Sequence, residues 1–192
     1  MIPSTTAAPH WEEILVHRLT QFGHRNWIVI ADSAYPAQSN SGIETIATGA
    51  GHLEVLGKTL KSIAVCKHLR AKVLVDAEFK SVAEVDAPGV TAVRESLYQL
   101  LDYQDARELD HEQIISMLAA SGRQFRILIL KSTLSIPYSS IFLELDCAYW
   151  NSAAEARLRI ALKNASEVQV ATQSTEQRLR SPRFSGPFSG AT

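Results

Sequence analysis

Residues 23–36 read GHRNWIVIADSAYP. Within them Asn26–Ala31 is a short apolar run rich in β-branched residues, with a glycine turn before it and the turn-forming DSAYPAQSNSG after it, a pattern that predicts a buried strand. Asp32 then stands at the strand's carboxyl end. In open α/β sheets ligands bind at that end, because the loops there are free to carry chemistry while the sheet holds them rigidly. On the amino side, HWEEILVHRLTQFG (residues 10–23) keeps Trp11, Ile14, Leu15, Leu19 and Phe22 at helical spacing, and Gly23 is expected to supply the left-handed position that closes the helix.

The alternation continues outward. GIETIATG (42–49) reads as a second strand, and HLEVLGKTLKSIAVC (52–66) as a helix with Leu53, Leu56, Leu60 and Ile63 on its apolar face. A strand KVLVDAEF (72–79) follows, then a helix from Pro88 with Val93, Leu97, Leu100 and Leu101 as its stripe. LDHEQIISMLAASG (109–122) predicts a helix capped by Asp110, with Gln113 three residues later, and ended by Gly122. FRILILK (125–131) and SSIFLELD (139–146) are the strongest strand signals, and NSAAEARLRIALKNASE (151–167) is a final amphipathic helix capped by Asn151 or Ser152. Strands alternating with helices imply an α/β fold, a sheet with helices on its faces. The expected organisation is an N-terminal arm over residues 1–10, one domain over 11–171, and a tail over 172–192, rich in Ser, Pro and Gly, that is too polar to order itself.

Composition sets the outer bounds. With 192 residues, 46% hydrophobic and 20% charged, the chain can bury a real core. A formal net charge of -1 gives no concentrated basic face, so nucleic acid is not an expected partner. No apolar run is long enough for a bilayer and residues 1–11 lack the pattern of a signal peptide, so neither a membrane nor export is expected and the cytoplasm is the default location. Cys66 and Cys147 are far apart in sequence and read as small buried hydrophobes, not as a disulfide framework or zinc site.

Taken with HEQI from His111 and PYSSIFLEL from Pro137, GHRNWIVIADSAYP resembles the motifs of the RbsD/FucU family, the D-ribose pyranases and L-fucose mutarotases. The three stretches fall in that family's order and the likeness spans roughly Trp11 to Leu145. It implies an RbsD-like three-layer α/β domain with an added C-terminal helix, and an enzyme that opens and recloses the ring of a free monosaccharide without a cofactor or metal. It also implies a ring-shaped homo-oligomer, often a decamer, with sites at subunit contacts. By the same likeness His24, Asp32, His111 and Tyr138 line the sugar site, with Tyr35, Asn26 and Ser140 as further substrate-binding candidates. The chain departs from the pattern at Asn26, where the family usually carries an acid, at Ser140, where it carries an asparagine, and at Ile115, where the ribose branch carries a lysine.

These residue types suit such chemistry. Ring opening needs a base for the anomeric hydroxyl proton and an acid for the ring oxygen, and histidine, with an ordinary pKa of about 6.5, serves as either near neutrality. Asp32 is expected to accept a sugar hydroxyl. His111, in the first turn of its helix, is expected to stay neutral beside the positive dipole end. Eight residues (32 minus 24) separate His24 from Asp32, too far for contact along a straight strand at about 3.3 Å per residue, so either a bend folds His24 back or the two serve different ends of a site.

Plainer readings stand beside these. His24 reads equally as a turn residue, Asp32 as a turn initiator, His111 as an exposed first-turn residue and Tyr138 as loop packing. Glu144 and Asp146 alternate with Leu143 and Leu145 as on a solvent-facing strand edge, and Trp27, Tyr149 and Trp150 suit core or interface packing better than sugar stacking. Two rival functions remain open: a non-catalytic sugar-binding or regulatory module, which the three departures would permit, and a metal-dependent hydrolase drawing on His24, Asp32, His52, His68 or His111. The last ranks lowest because no two of these have the spacing that sets paired ligands on one helix face.

Overall fold

The computed structural model describes residues 10–101 and 106–180, with side chains described as far as residue 167. Six strands, β1 (Trp27–Ala31), β2 (Ile43–Ala47), β3 (Leu69–Asp76), β4 (Ala106–Leu109), β5 (Ile127–Lys131) and β6 (Ile141–Cys147), form one sheet in the order β2-β5-β1-β6-β3-β4. The helices are α1 (Trp11–Gln21), α2 (His52–Ala64), α3 (Val90–Leu101), α4 (His111–Gly122) and α5 (Ser152–Arg180), with a short 3-10 helix over Ala77–Ser81. The α/β architecture expected from the sequence is the one observed.

The pairing fixes where a site can form. β1, β2 and β5 run parallel, as do β3 and β4, while β6 is antiparallel to both β1 and β3. All strands but β6 therefore point the same way, and β6 begins at the end where they finish. Asp32, Asp76, Asp110 and the segment before Ile141 are delivered to one rim of the sheet.

Period-two alternation sorts β1 between two cores. Ile28 and Ile30 pack with Leu15, Leu19, Val55 and Leu97 beneath α1, α2 and α3, while Trp27, Val29 and Ala31 pack with Ile114 and Leu118 of α4. Both sides of β1 are buried, which is why it reads as a continuous apolar run. Where β2 begins against the end of α4 the backbones nearly touch: a Cβ at Gly42 would collide with the Gly122 carbonyl oxygen.

Several local expectations are corrected. Gly23 does not take the left-handed conformation; Arg25 does, at φ 74°. Its amide donates to the Leu145 carbonyl, so pairing to the sheet sets the turn. The buried side of α2 carries His52, Val55, Leu56, Thr59 and Ile63, rotated so that Leu53 is exposed and His52 turns inward. In α3, Tyr98 is buried and Leu100 exposed. The short strand β4 has no clear sequence signal. Asp110 makes no side-chain cap; both Glu78 carboxylate oxygens accept from the His111 amide instead, at 3.1 Å. β6 is an interior strand and Asp146 is buried, so the solvent-edge reading fails. Cys66 and Cys147 are half-buried, Trp27 is core, and Tyr149 is exposed.

The chain divides into two compact units, Met1–Tyr149 and Trp150–Thr192. In the second, the Asn151 side chain caps α5 by accepting from the Ala154 amide at 2.9 Å, and the helix continues to Arg180 where the sequence reading ended it at Glu167. Of the expected arm (1–10) and tail (172–192), residues 1–9 and 181–192 lie outside the described residues, and residues 172–180 belong to α5. Among the described residues no helix is long and apolar enough to cross a membrane.

Candidate functional site

At the carboxyl rim a cleft of about 400 Å³ is lined by Asp32, Tyr35, Gln38, His111, Ile115 and Tyr138, among others. A neighbouring cleft of about 570 Å³ shares Pro137 and Tyr138 and adds Glu78, Asp86 and Asp110. Among the described residues neither lining includes a lysine or arginine.

Asp32 is held from two sides. One carboxylate oxygen accepts from the Ala34 amide at 2.8 Å, the turn-initiating bond that aspartate commonly makes, and the other accepts from the Ser140 hydroxyl at 3.1 Å. Ser140 is buried, so it holds Asp32 and does not face a ligand. A carboxylate has about four acceptor sites, and these two bonds do not use them all.

Beneath this loop lies a buried relay. The Ser132 hydroxyl donates to the Ala31 carbonyl at 2.9 Å, so His52 Nδ1, 2.8 Å from that hydroxyl, carries the proton and donates to it. Burial lowers the His52 pKa to about 4, outweighing the opposite pull of the Ser139 carbonyl and Asp32. This histidine is neutral at physiological pH.

His111 opens α4, and its Nδ1 lies 3.1 Å from Asp76 Oδ1. Asp76 ends β3 at only 1% exposure, and burial raises its carboxyl to about 6 against the opposing influence of His111. Its other oxygen, Oδ2, is buried with no hydrogen-bond partner among the described residues. The Tyr138 ring meets His111 edge-on, with centroids 5.5 Å apart and planes at 85°. Tyr138 itself sits at φ 57°, a left-handed conformation that costs a non-glycine residue about 1–2 kcal/mol. Such strain gathers at ligand sites, where surrounding structure enforces it. Tyr35 is buried, and burial, then Asp76 and Asp32, push its hydroxyl up to about 12.

His24 and Asn26 lie elsewhere. β1 alone, five residues long, spans about 13 Å, and His24 is on the far side of it from Asp32. There His24 Nδ1 is 2.8 Å from Asp146 Oδ1, while Arg70 and Lys72 approach Asp146 Oδ2 at 2.7 and 3.2 Å. Burial alone would raise the Asp146 carboxyl, but Arg70, the Cys147 amide, Lys72 and His24 together hold it well below the usual carboxylate range. Asn26 spends its amide on the turn, accepting from the Gly23 amide at 2.7 Å and donating to the Arg126 carbonyl at 3.1 Å. The chain thus brings Asp32, Tyr35, His111 and Tyr138 together with Ser140 behind them, and does not bring His24 or Asn26 to them.

Sequence reasoning missed Asp76, Glu78 and the His52–Ser132 pair. Asp76 had a readable signal, since it ends KVLVD as Asp32 ends WIVIAD. The ligands of the metal-hydrolase rival do not converge: among the described residues no group of three or more His, Cys, Asp or Glu could hold a metal ion.

Fold and site together define an α/β protein with an acid/base cleft at the carboxyl ends of its parallel strands. The chain belongs to the RbsD / FucU transport protein family, which matches residues 9–147. Among solved structures it is similar to Bacillus subtilis RbsD complexed with D-ribose, at 17% identity over 76% of this chain and 98% of that one, with a TM-score of 0.49. It is also similar to the Streptococcus pneumoniae fucose mutarotase in complex with L-fucose, at 18% identity over 69% and 91% of the two chains and a TM-score of 0.48. FucU from Bifidobacterium longum gives 18% identity over 70% and 94%, with a TM-score of 0.47. No curated protein matches the chain.

Proposed function

We propose that this protein opens and recloses the ring of a free monosaccharide by acid/base catalysis, using no cofactor. The observation that carries the reading is the meeting of Asp32, His111 and Tyr138 in one cleft, in a chain of the RbsD / FucU family. His111 Nε2 takes the anomeric hydroxyl proton as the bond from the anomeric carbon to the ring oxygen breaks, leaving a carbonyl. The ring oxygen takes a proton from an acid, and reclosure reverses both transfers. Asp32 accepts a sugar hydroxyl and orients the ring, while the Tyr138 ring face and hydroxyl border it.

His24 supplies the acid from a second copy of the chain. One end of the sheet gathers His24, Arg70 and Lys72 around a single aspartate, and the other gathers carboxylates without lining lysine or arginine. Unlike ends of one molecule can associate head to tail, and such a contact forms a ring when its rotation closes and an open filament when it does not. The active form in this reading is a closed homo-oligomer larger than a dimer.

A second reading, a sugar-binding module without turnover, draws on Ile115, an apolar side chain in the cleft, and on Asn26, whose amide is spent on the turn. Saturation-transfer NMR on a panel of aldoses separates the two. Both bind, but only an enzyme speeds exchange between ring forms; unchanged exchange for every aldose bound would leave the second reading standing.

A further inference from the structure

We propose that Asp76 is a positioning residue that fixes the His111 tautomer, holding the proton on Nδ1 so that Nε2 is the atom that trades protons with the sugar. The role deepens the ring-opening reading and rests on it, but the tautomer itself is measurable without any substrate.

Asp76 cannot serve by contact. At 1% exposure its carboxylate is closed off from a ligand in the cleft, and it reaches the chemistry only through the 3.1 Å approach of Oδ1 to His111 Nδ1. An ionised carboxylate is an acceptor only, so this bond requires the proton on Nδ1 and leaves the Nε2 lone pair free. Two restraints hold the ring, Nδ1 on Asp76 and the edge contact with Tyr138, while Glu78 holds the His111 backbone amide. The sheet places Asp76 for this task, because β3 pairs with β4 in a register that sets Asp76 opposite Leu109, two positions before His111.

The charge matters as well as the geometry. When Nε2 takes the anomeric proton the ring becomes imidazolium, and Asp76, itself buried, lies beside it where opposite charge acts more strongly than in water. It thereby opposes the helix-dipole effect expected at the first turn of α4. The titratable groups around the pair are Glu78 from the 3-10 helix, Asp32 and Tyr35 from the loop after β1, Tyr138 from the segment before β6, and Glu112 on α4 itself. None is a cation, so nothing among these groups opposes the imidazolium, but of the acids only Asp76 accepts from the His111 ring.

The test compares the parent protein with Asp76→Asn and Asp76→Ser, the second guarding against a fold defect peculiar to the amide. Long-range ¹H–¹⁵N NMR of His111 without sugar should show the Nδ1–H tautomer in the parent and a shift toward Nε2–H in both variants. The aldose exchange rate should fall at least about tenfold in Asp76→Asn while sugar binding changes by less than about threefold, and the acid limb of the pH–rate profile should move to lower pH. A parent in the Nε2–H form, or variants that keep both the parent tautomer and the parent pH profile, would overturn the assignment. A tautomer that depends on Asp76 in a protein that exchanges no aldose would uphold the positioning role and defeat the enzymatic reading instead.

Discussion

Replacing His52 by glutamine should change how the protein responds to acid, and the size of the change follows from its burial. The folded imidazole titrates at about 4, against an ordinary value of 6.5, because ionising it would bury a charge. A histidine depressed in the folded state favours folding fully above its unfolded pKa, and that contribution is lost as pH falls through the folded value. At about 1.4 kcal/mol per pKa unit the loss is about 2 kcal/mol by pH 5 and about 3 kcal/mol by pH 4. Asp76 works in the opposite sense: raised to about 6, it contributes stability below its unfolded value that disappears as pH rises through about 6. Because parent and variant share Asp76, its effect cancels in their difference. Urea unfolding of both proteins from pH 7.5 to 4.5 should therefore show a parent advantage at neutral pH that shrinks or reverses on acidification. A difference that stayed constant with pH would refute the reasoning, since His52 would then carry its proton as readily folded as unfolded. The consequence reaches the site, because His52 and Ser132 brace the Ala31 carbonyl next to Asp32.

Three further outcomes are expected. Asp32→Asn should weaken aldose binding by about 1.5–3 kcal/mol in an equilibrium titration, the range for a hydrogen bond to a charged acceptor; unchanged affinity would remove Asp32 from the contact set. Gly42→Ala should lower unfolding stability by about 1–3 kcal/mol, because its Cβ would meet the Gly122 carbonyl and backbone must move to admit it; a variant as stable as the parent would show that the β2–α4 junction yields freely. Light scattering at micromolar concentration should return a species larger than a dimer, and a monomer there would leave His24 without a cleft to complete.

Much of the architecture was legible because burial on both faces leaves a plain mark: β1, β5 and β6 read as apolar runs, and the helices carry 3.6-residue stripes. β4 left none, since its AREL sequence is only partly buried. In the α2 stripe Leu56 and Ile63 are in the core and Leu60 packs against it, but Leu53, which fits a helical period as well as Val55 and Thr59 do, is exposed. Which face wins is settled by packing on the sheet, and that choice turned His52 inward. Asp32, Tyr35, His111 and Tyr138 were legible through motifs, and the structure sets them side by side. Asp76 was readable as a strand-ending carboxylate but not as the partner of His111, which lies thirty-five residues away and is brought to it only by strand pairing. Asp146 was misread for the same reason: alternation along β6 shows which residues share a face, not that Arg70, Lys72 and His24 converge on one of them.

The most direct measurement is the rate at which a bound aldose exchanges between ring forms, read by saturation-transfer NMR in the parent and in His111→Ala. The account predicts exchange faster than in buffer for at least one aldose, lowered by about 100-fold or more in the variant while that sugar still binds, since an acid/base group acts mainly in the transition state. A His111→Ala protein that exchanges every aldose as fast as the parent would contradict it.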